Sequence, residues 1–178
     1  ILKRMNSYFY YENKPVSKQE AIRLCQNITY AIIKPVLEHS GVGVRGLEVK
    51  DGNTNIDGLN IEQLFDKYGD NFQIQERLRQ HEKMNQLNET SVNTLRILTY
   101  RSDMEILVIY SVVRIGRKGQ VIDNQSAGGI STIIGEDGKL GNTAFGGFCE
   151  NGIGKTDSGV VLEGFEIEIG RASCRERV

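Results

Sequence analysis

The chain has 178 residues, 39% of them hydrophobic, with 22 lysines and arginines against 23 aspartates and glutamates for a net charge of -1. That suffices for one moderate domain or two small lobes around a shared cleft. Two classes are excluded: the charges are interleaved, without the basic surface that nucleic-acid binding needs, and no apolar run is long enough to span a bilayer.

The opening residues ILKRMNSYFYYENK carry no signal-peptide pattern and do not read as a natural start. Ser17 followed by Glu20 forms a capping box, and Ala21, Ile22, Leu24, Cys25 and Ile28 fall at helical spacing, which predicts a helix over residues 18–27. A strand follows in YAIIKP from Tyr30, stopped by Pro35, then a glycine loop and a second strand at residues 46–50, together a hairpin-like flap. DGNTNIDGLN is turn chemistry. In IEQLFDKYG, Ile61, Leu64, Phe65 and Tyr68 share one helical face before Gly69 ends it. FQIQERL reads as a short strand, and QHEKMNQLNE as a solvated connector or short helix anchored by Met84 and Leu87. From Ser91 the texture is long strands: SVNTLRILTY, MEILVIYSVVRI across the turn RSD, QVIDN and GGISTIIG, closed by the turn EDGK. MEILVIYSVV, rich in β-branched residues, reads as a buried strand. The predicted class is α+β, with helices early and a largely antiparallel sheet in the second half. The cysteines Cys25, Cys149 and Cys174 match no metal-ligand spacing, which points to a reduced, cytoplasmic setting.

Four stretches carry candidate chemistry, each with a plainer alternative. Lys34 precedes a loop holding Gly41, Gly43 and Gly46; glycines let backbone N–H groups turn toward an anion, and the ammonium supplies charge for a phosphate. A plain hairpin turn with an exposed lysine has the same sequence. FQIQERL offers backbone groups and apolar walls suited to an adenine ring, with Gln75 and Glu76 as polar contacts, or is an amphipathic edge strand. Arg96 and Arg114 stand in apolar β-runs, where an unsheddable charge needs a fixed anion or carboxylate. For Arg114 the alternative is a surface ion pair. DNQSAGG, residues 123–129, makes a tight loop with exposed N–H groups able to hold a substrate or phosphate oxygen, or else a glycine bulge.

Other patterns are dismissed. GKT at residues 154–156 mimics the end of a phosphate-binding Walker loop, but the required upstream glycine falls at Cys149 and no helix opens after Thr156. His39 and His81 are too far apart, and too poor in companions, for zinc. No serine or cysteine has a base within a local motif.

In order, IIKP, HSGVGVRGL, FQIQERLRQH, SVNTLRILTY, VVRIGRKGQVIDNQSAGGI and DSGVVLEGFEI resemble the sugar-transfer-associated family of the ATP-grasp superfamily, over most residues from Lys34 to Ile167. The resemblance implies two small α+β lobes closing on ATP and Mg²⁺. The reaction it implies converts a substrate carboxylate to an acylphosphate that an amine or similar nucleophile then displaces. It implies that Lys34 contacts the ATP phosphates, that Gly41 and Gly43 form the covering flap, and that Gln75, Glu76 and Leu78 belong to the adenine hinge. Arg96 and Arg114 would stabilise the transferring phosphate or substrate carboxylate, and Asn124, Gly128 and Gly129 would line the acceptor side. On this reading residues 30–78 are the nucleotide flap and hinge lobe and residues 91–168 an antiparallel-sheet lobe, within a partial ATP-grasp domain over residues 1–168. The partners would be a nucleotide and a carboxylate or sugar-linked substrate, with no nucleic acid and no membrane span. No residue is assigned to the metal; family ligands are expected C-terminal to Glu163 and Glu166. IGRASCRERV, residues 169–178, reads as a translated sequencing adapter, so that the chain is expected to be an inactive fragment of an ATP-dependent ligase. The alternative is a non-catalytic β-rich module that binds a glycan or protein partner.

Overall fold

A computed structural model describes residues 1–147, 150 and 152–167. The adapter reading of residues 169–178, and with it Cys174 and Cys149, lies outside the described residues. The chain divides into two compact units, Ile1–Leu78 and Arg79–Val178, each with its own apolar core.

The first unit is built on strands β1 (Leu2–Met5), β2 (Tyr8–Tyr11), β3 (Lys14–Val16), β4 (Ala31–Pro35) and β5 (Arg45–Leu47), a small ribbon of β6 (Val49–Lys50) and β7 (Asn53–Thr54), and β8 (Phe72–Glu76). Helix α1 (Lys18–Cys25) precedes β4 and α2 (Ile61–Tyr68) precedes β8. Six strands make one sheet in the order β3-β2-β1-β8-β4-β5, every pair antiparallel. Register and alternation put Leu2, Phe9, Ala31, Ile33, Phe72 and Ile74 on the face that joins the core with Ala21, Cys25, Leu64 and Phe65 of the helices. The opposite face carries Lys3, Tyr10, Ile32, Lys34, Gln73 and Gln75.

Both helices start and stop for local reasons. Ser17 Oγ accepts from the Glu20 backbone N–H at 3.1 Å, but the Glu20 carboxylate turns to Arg23 and completes only half of the predicted box. The full box belongs to α2, where Asn60 and Gln63 cap each other at 2.9 and 3.0 Å, and Gly69 ends the helix at φ 63°. Cys25 closes α1 inside the core, and burial pushes its thiol up to about 12 from an ordinary 9.0. The folded chain thus holds that proton more tightly than the unfolded one. The stability this confers is intact below pH 9.0 and is lost as pH rises toward about 12. At about pH 8, iodoacetamide should leave Cys25 unmodified in the native chain and label it readily in urea, because only the thiolate reacts; peptide-resolved mass spectrometry separates it from the other cysteines.

The second unit holds α3 (Glu82–Leu87), strands β9 (Thr94–Arg101), β10 (Ile106–Ile115) and β11 (Ile130–Ile134), and a 3₁₀ turn at Gln125–Ala127. The sheet runs β11-β10-β9, antiparallel throughout. Leu87 of α3, Val113 and Ile115 of β10, and Ile130 and Ile134 of β11 share a core with Leu140, Ala144, Leu162 and Ile167. His81, dismissed as a zinc ligand, caps α3 by accepting from the Lys83 N–H at 3.3 Å.

The class is α+β with mostly antiparallel sheet, as read from the sequence; several local expectations are corrected. MEILVIYSVV is not a buried strand. Only residues 111–115 of β10 meet β11; residues 106–110 pair with β9 alone, and Ile106, Leu107, Val108, Ile109 and Tyr110 are exposed. QVIDN forms no strand, because Asp123 spends its carboxylate on the start of β9. FQIQERL is not an edge strand: β8 lies between β1 and β4. Among the described residues, DSGVVLEGFEI contributes isolated bridges, Lys155 to Val161 and Lys139 to Glu166, where a strand was expected. The opening residues, left without structure in the sequence reading, form the β1-β2-β3 meander.

Candidate functional site

Lys34 is the fourth residue of β4 and points away from the helices, since its neighbours Ile33 and Pro35 pair with Ile74 and Phe72 on the core side. It is half-buried and, among the described residues, has no acidic partner. Across the sheet Gln73 stands directly beside it, and Lys3 of β1 stands beside Gln73 on the far side. Two lysines thus share one row, separated by two strand spacings or about 10 Å. Gln73 Nε2 donates to Gln75 Oε1 at 3.2 Å, so the amides between the cations form their own pair. Lys3 Nζ reaches only Asn13 Oδ1 at 3.4 Å. The register places no carboxylate between the two cations on this sheet face, although Glu12 acts electrostatically on Lys3.

The loop after β4 holds the predicted flap. Gly41 and Gly43 have φ of 80° and 72°, and a Cβ at Gly43 would lie 2.8 Å from Pro35 Cγ. The Gly43 carbonyl accepts from Tyr68 Oη at 2.9 Å, which pins the base of the loop to α2. Leu37 and Val42 are exposed apolar residues on its outer turns. The turn geometry alone accounts for glycine at position 43.

The predicted hinge residues part company. Gln75 shares the open face with Lys34, whereas Glu76, opposite Ala31, is on the helix-covered side. From Gln75 onward β1 no longer pairs with β8, and after Glu76 β4 stops too, so the backbone at residues 77 and 78 has no ladder partner. Leu78 is exposed. A cavity of about 590 Å³ opens here, with Leu24, Cys25, Ile28 and Ile74 in its wall and Tyr30 and Glu76 beside them. It lies behind the sheet, on the face opposite Lys34, and is therefore no receptacle for a phosphate held by that lysine.

In the second unit, Arg96 and Arg114 fall on one face. Arg96 pairs in register with Val112 and Arg114 with Thr94, so the two arginines stand diagonally on neighbouring strands, on the side away from Val113 and Ile115. Arg96 is exposed and has no ion pair among the described residues. Arg114 meets Asp123 at 3.2 Å, and both side chains are largely buried. The ion pair weighed for Arg114 exists, but it is not at the surface.

The loop that follows is fixed at both ends. The Asn124 carbonyl accepts from the N–H groups of Ala127 and Gly129 at 3.0 and 2.9 Å. Gly128 has φ of 92°, and a Cβ on Gly129 would stand 2.3 Å from the Asp123 carbonyl oxygen. Arg117, outside the sequence-based candidates, holds the far end: Nε donates to the Gly128 carbonyl at 3.0 Å, Nη1 to Asp157 at 3.0 Å, and Nη2 to both Glu150 oxygens at 2.7 Å. These partners, the Glu150 bond first, raise the Arg117 pKa. Gln125 is also committed, to Ser131 Oγ at 2.8 Å and the Phe145 carbonyl at 3.2 Å. The signal in the sequence was the pair of glycines; the arginine that braces them is legible only in three dimensions.

Magnesium finds no ready cage. Among the described residues no three His, Cys, Asp or Glu side chains come together as a metal site. The GKT segment is a bridge from Lys155 to Val161, without the helix a Walker loop requires.

The mixed α+β architecture, with mostly antiparallel sheets and few helices, is that of a partial ATP-grasp-like protein. The sequence model of the sugar-transfer associated ATP-grasp family matches residues 6–169, and the chain belongs to that family. No curated protein and no solved structure matches it. No helix among the described residues is long and apolar enough to cross a membrane.

Proposed function

We propose that the chain supplies the nucleotide-binding machinery of an ATP-dependent carboxylate ligase acting in surface-sugar or polysaccharide biosynthesis on the cytoplasmic side. One observation carries the reading: Lys34 is half-buried without a counter-charge among the described residues, in a row with Lys3, on the strand that runs into the Gly41 and Gly43 loop. A cation held in that state is stabilised when an anion arrives, and a triphosphate is the anion that family membership implies.

In this reading residues 30–78 form the flap and hinge lobe and residues 91–168 the antiparallel-sheet lobe. Lys34 and Lys3 neutralise phosphate charge, Gly41 and Gly43 let the flap's backbone approach, and Gln75, on the face of Lys34, borders the adenine with the backbone from Glu76 to Leu78, the Glu76 side chain being turned to the other face. The substrate carboxylate attacks the γ-phosphorus and ADP leaves with the bridging oxygen; an amine or similar nucleophile then attacks the acyl carbon of the resulting acylphosphate, and inorganic phosphate leaves. Arg96 and Arg114 face the transferring phosphoryl group or the carboxylate, and Asn124, Gly128 and Gly129 line the acceptor side. Mg²⁺ would arrive on the triphosphate; the described residues offer it no cluster.

The test is differential scanning fluorimetry of the full chain with Mg-ATP. Binding of the native state alone adds about 2.7 kcal/mol at a hundredfold excess over Kd, a rise of several degrees in Tm. Lys34→Ala should remove the rise and leave the unliganded Tm in place, because Lys34 has no partner to lose among the described residues. A wild-type chain that ignores millimolar Mg-ATP would sink the reading and favour a binding module for a glycan or protein.

A further inference from the structure

We propose that Asp123 is a positioning residue that presents the Arg114 guanidinium to an oxyanion on the open face of the β9–β11 sheet. The inference deepens the role given above to Arg114 and rests on that reading. Asp123 is itself immobilised: only 6% exposed, it accepts at Oδ2 from the Thr94 N–H at 3.0 Å and from the Thr94 hydroxyl. Thr94 is the register partner of Arg114, so the anchor and its target are tied to the same rung of the sheet.

The contact with Arg114 is made from one side. Nη2 stands 3.2 Å from Oδ1 in an ion pair without hydrogen-bond alignment, and Arg114 has no other acidic partner among the described residues. A guanidinium has five N–H donors in a planar fork. Held at one corner, it keeps donors for a second, bidentate partner, which is how arginine recognises carboxylate and phosphate. Charge agrees with this. Asp123 answers one arginine, while Arg96, one diagonal away on the same face, has no carboxylate, so the face retains a net positive charge. The same aspartate also begins the turn that ends in Gly128 and Gly129, and its own carbonyl packs against Gly129. Arginine and loop are therefore fixed relative to each other by one residue.

Two effects of the carboxylate oppose each other, and they predict opposite results. As a charge, Asp123 repels an incoming anion, so removing it should tighten binding. As a clamp, it has already ordered a long side chain, so removing it should weaken binding by about 3- to 10-fold, the cost of immobilising one such side chain. Asp123→Asn separates them, because the amide keeps an acceptor for Thr94 and loses the charge that holds Arg114.

The measurement is a titration of the full chain with inorganic pyrophosphate, followed by the Arg114 Nε–Hε resonance in a proton–nitrogen spectrum and assigned by its loss in Arg114→Lys. The expected result is saturable binding to wild type and a 3- to 10-fold higher Kd, on the order set by side-chain ordering, in Asp123→Asn. Equal or tighter binding in the variant overturns the proposal, as does a wild-type resonance that pyrophosphate does not move. If Asp123→Asn does not fold, Thr94→Val removes the hydroxyl bond and leaves the same carboxylate held by the backbone N–H alone; weaker binding supports the clamp and unchanged binding overturns it. A purely structural ion pair would lower Tm and leave this Kd alone. The nucleotide reading fails separately: a chain that takes pyrophosphate at Arg114 and ignores Mg-ATP keeps the clamp and loses the ligase.

Discussion

Phe65→Ala should destabilise the Ile1–Leu78 unit by about 3–5 kcal/mol, the range for emptying a buried aromatic site. Phe65 is fully buried at the middle of α2. Its ring lies 5.2 Å from Phe9 of β2 and 5.2 Å from Phe72 of β8, and Tyr68 meets Phe72 at 6.0 Å, so one side chain links helix and sheet through tilted ring contacts. Such pairs add about 0.5–1.5 kcal/mol each beyond burial. Relaxation is resisted on every side, because Leu64, Ile33 and Ile74 are packed into the same cluster. The chain has no tryptophan, so urea unfolding is followed by far-ultraviolet circular dichroism. A midpoint shift worth less than about 1 kcal/mol would mean that the site collapses around the missing ring. Phe65→Leu, which retains most of the apolar volume, should recover a large part of the loss.

That helix was legible because every element of its signal is local. Ile61, Leu64, Phe65 and Tyr68 recur at helical spacing, and Gly69 stops the run. The β1-β2-β3 meander was not, because its turns contain neither glycine nor proline, the two strongest local punctuators. Asn6 and Ser7, then Glu12 and Asn13, all have positive φ without a glycine among them. The exposed part of β10 misled for a different reason. A run of Ile, Leu, Val and Tyr reports strand preference faithfully, but burial depends on what packs against it, and β11 ends too soon to reach residues 106–110.

The same division runs through the candidate site. Lys34 stood out because glycines follow it in sequence. Lys3 did not, since it joins Lys34 only through the strand order β1-β8-β4, a fact of topology. The opposite faces taken by Gln75 and Glu76 follow from the two-residue period of a strand, and could have been read from FQIQE once its buried face was known. Asp123 was hidden by its neighbours: the sequence directs attention to the glycines after it, while its carboxylate reaches back to Thr94 and Arg114. That backward reach also removes QVIDN from the sheet.

Gly129→Ala should be strongly damaging to the second unit, and Gly128→Ala, one residue earlier, mild. The two glycines are adjacent but are needed for different reasons. Gly128 has φ of 92°, and a Cβ there would approach nothing closer than Arg117 Cγ at 3.7 Å, so its replacement costs backbone strain of about 1–2 kcal/mol. At Gly129 the added Cβ would stand 2.3 Å from the Asp123 carbonyl oxygen, 2.8 Å from its carbon and 2.9 Å from the Asn124 oxygen. All three are backbone atoms of the same tight turn, and none can swing aside as a side chain would. Relief requires opening the bond from Gly129 N–H to the Asn124 carbonyl, which closes the loop at 2.9 Å. Gly129 also leads straight into Ile130, whose buried side chain sits opposite Ile115 of β10, so the displacement propagates into the sheet register. The expected loss is about 3 kcal/mol or more, at or beyond the usual upper end for overpacking. Hydrogen exchange monitored by mass spectrometry should show deprotection of residues 123–134 in Gly129→Ala and near-native protection in Gly128→Ala. Equal effects of the two substitutions would mean that the loop tolerates movement at Asp123, and a carboxylate free to move could not hold Arg114 in place.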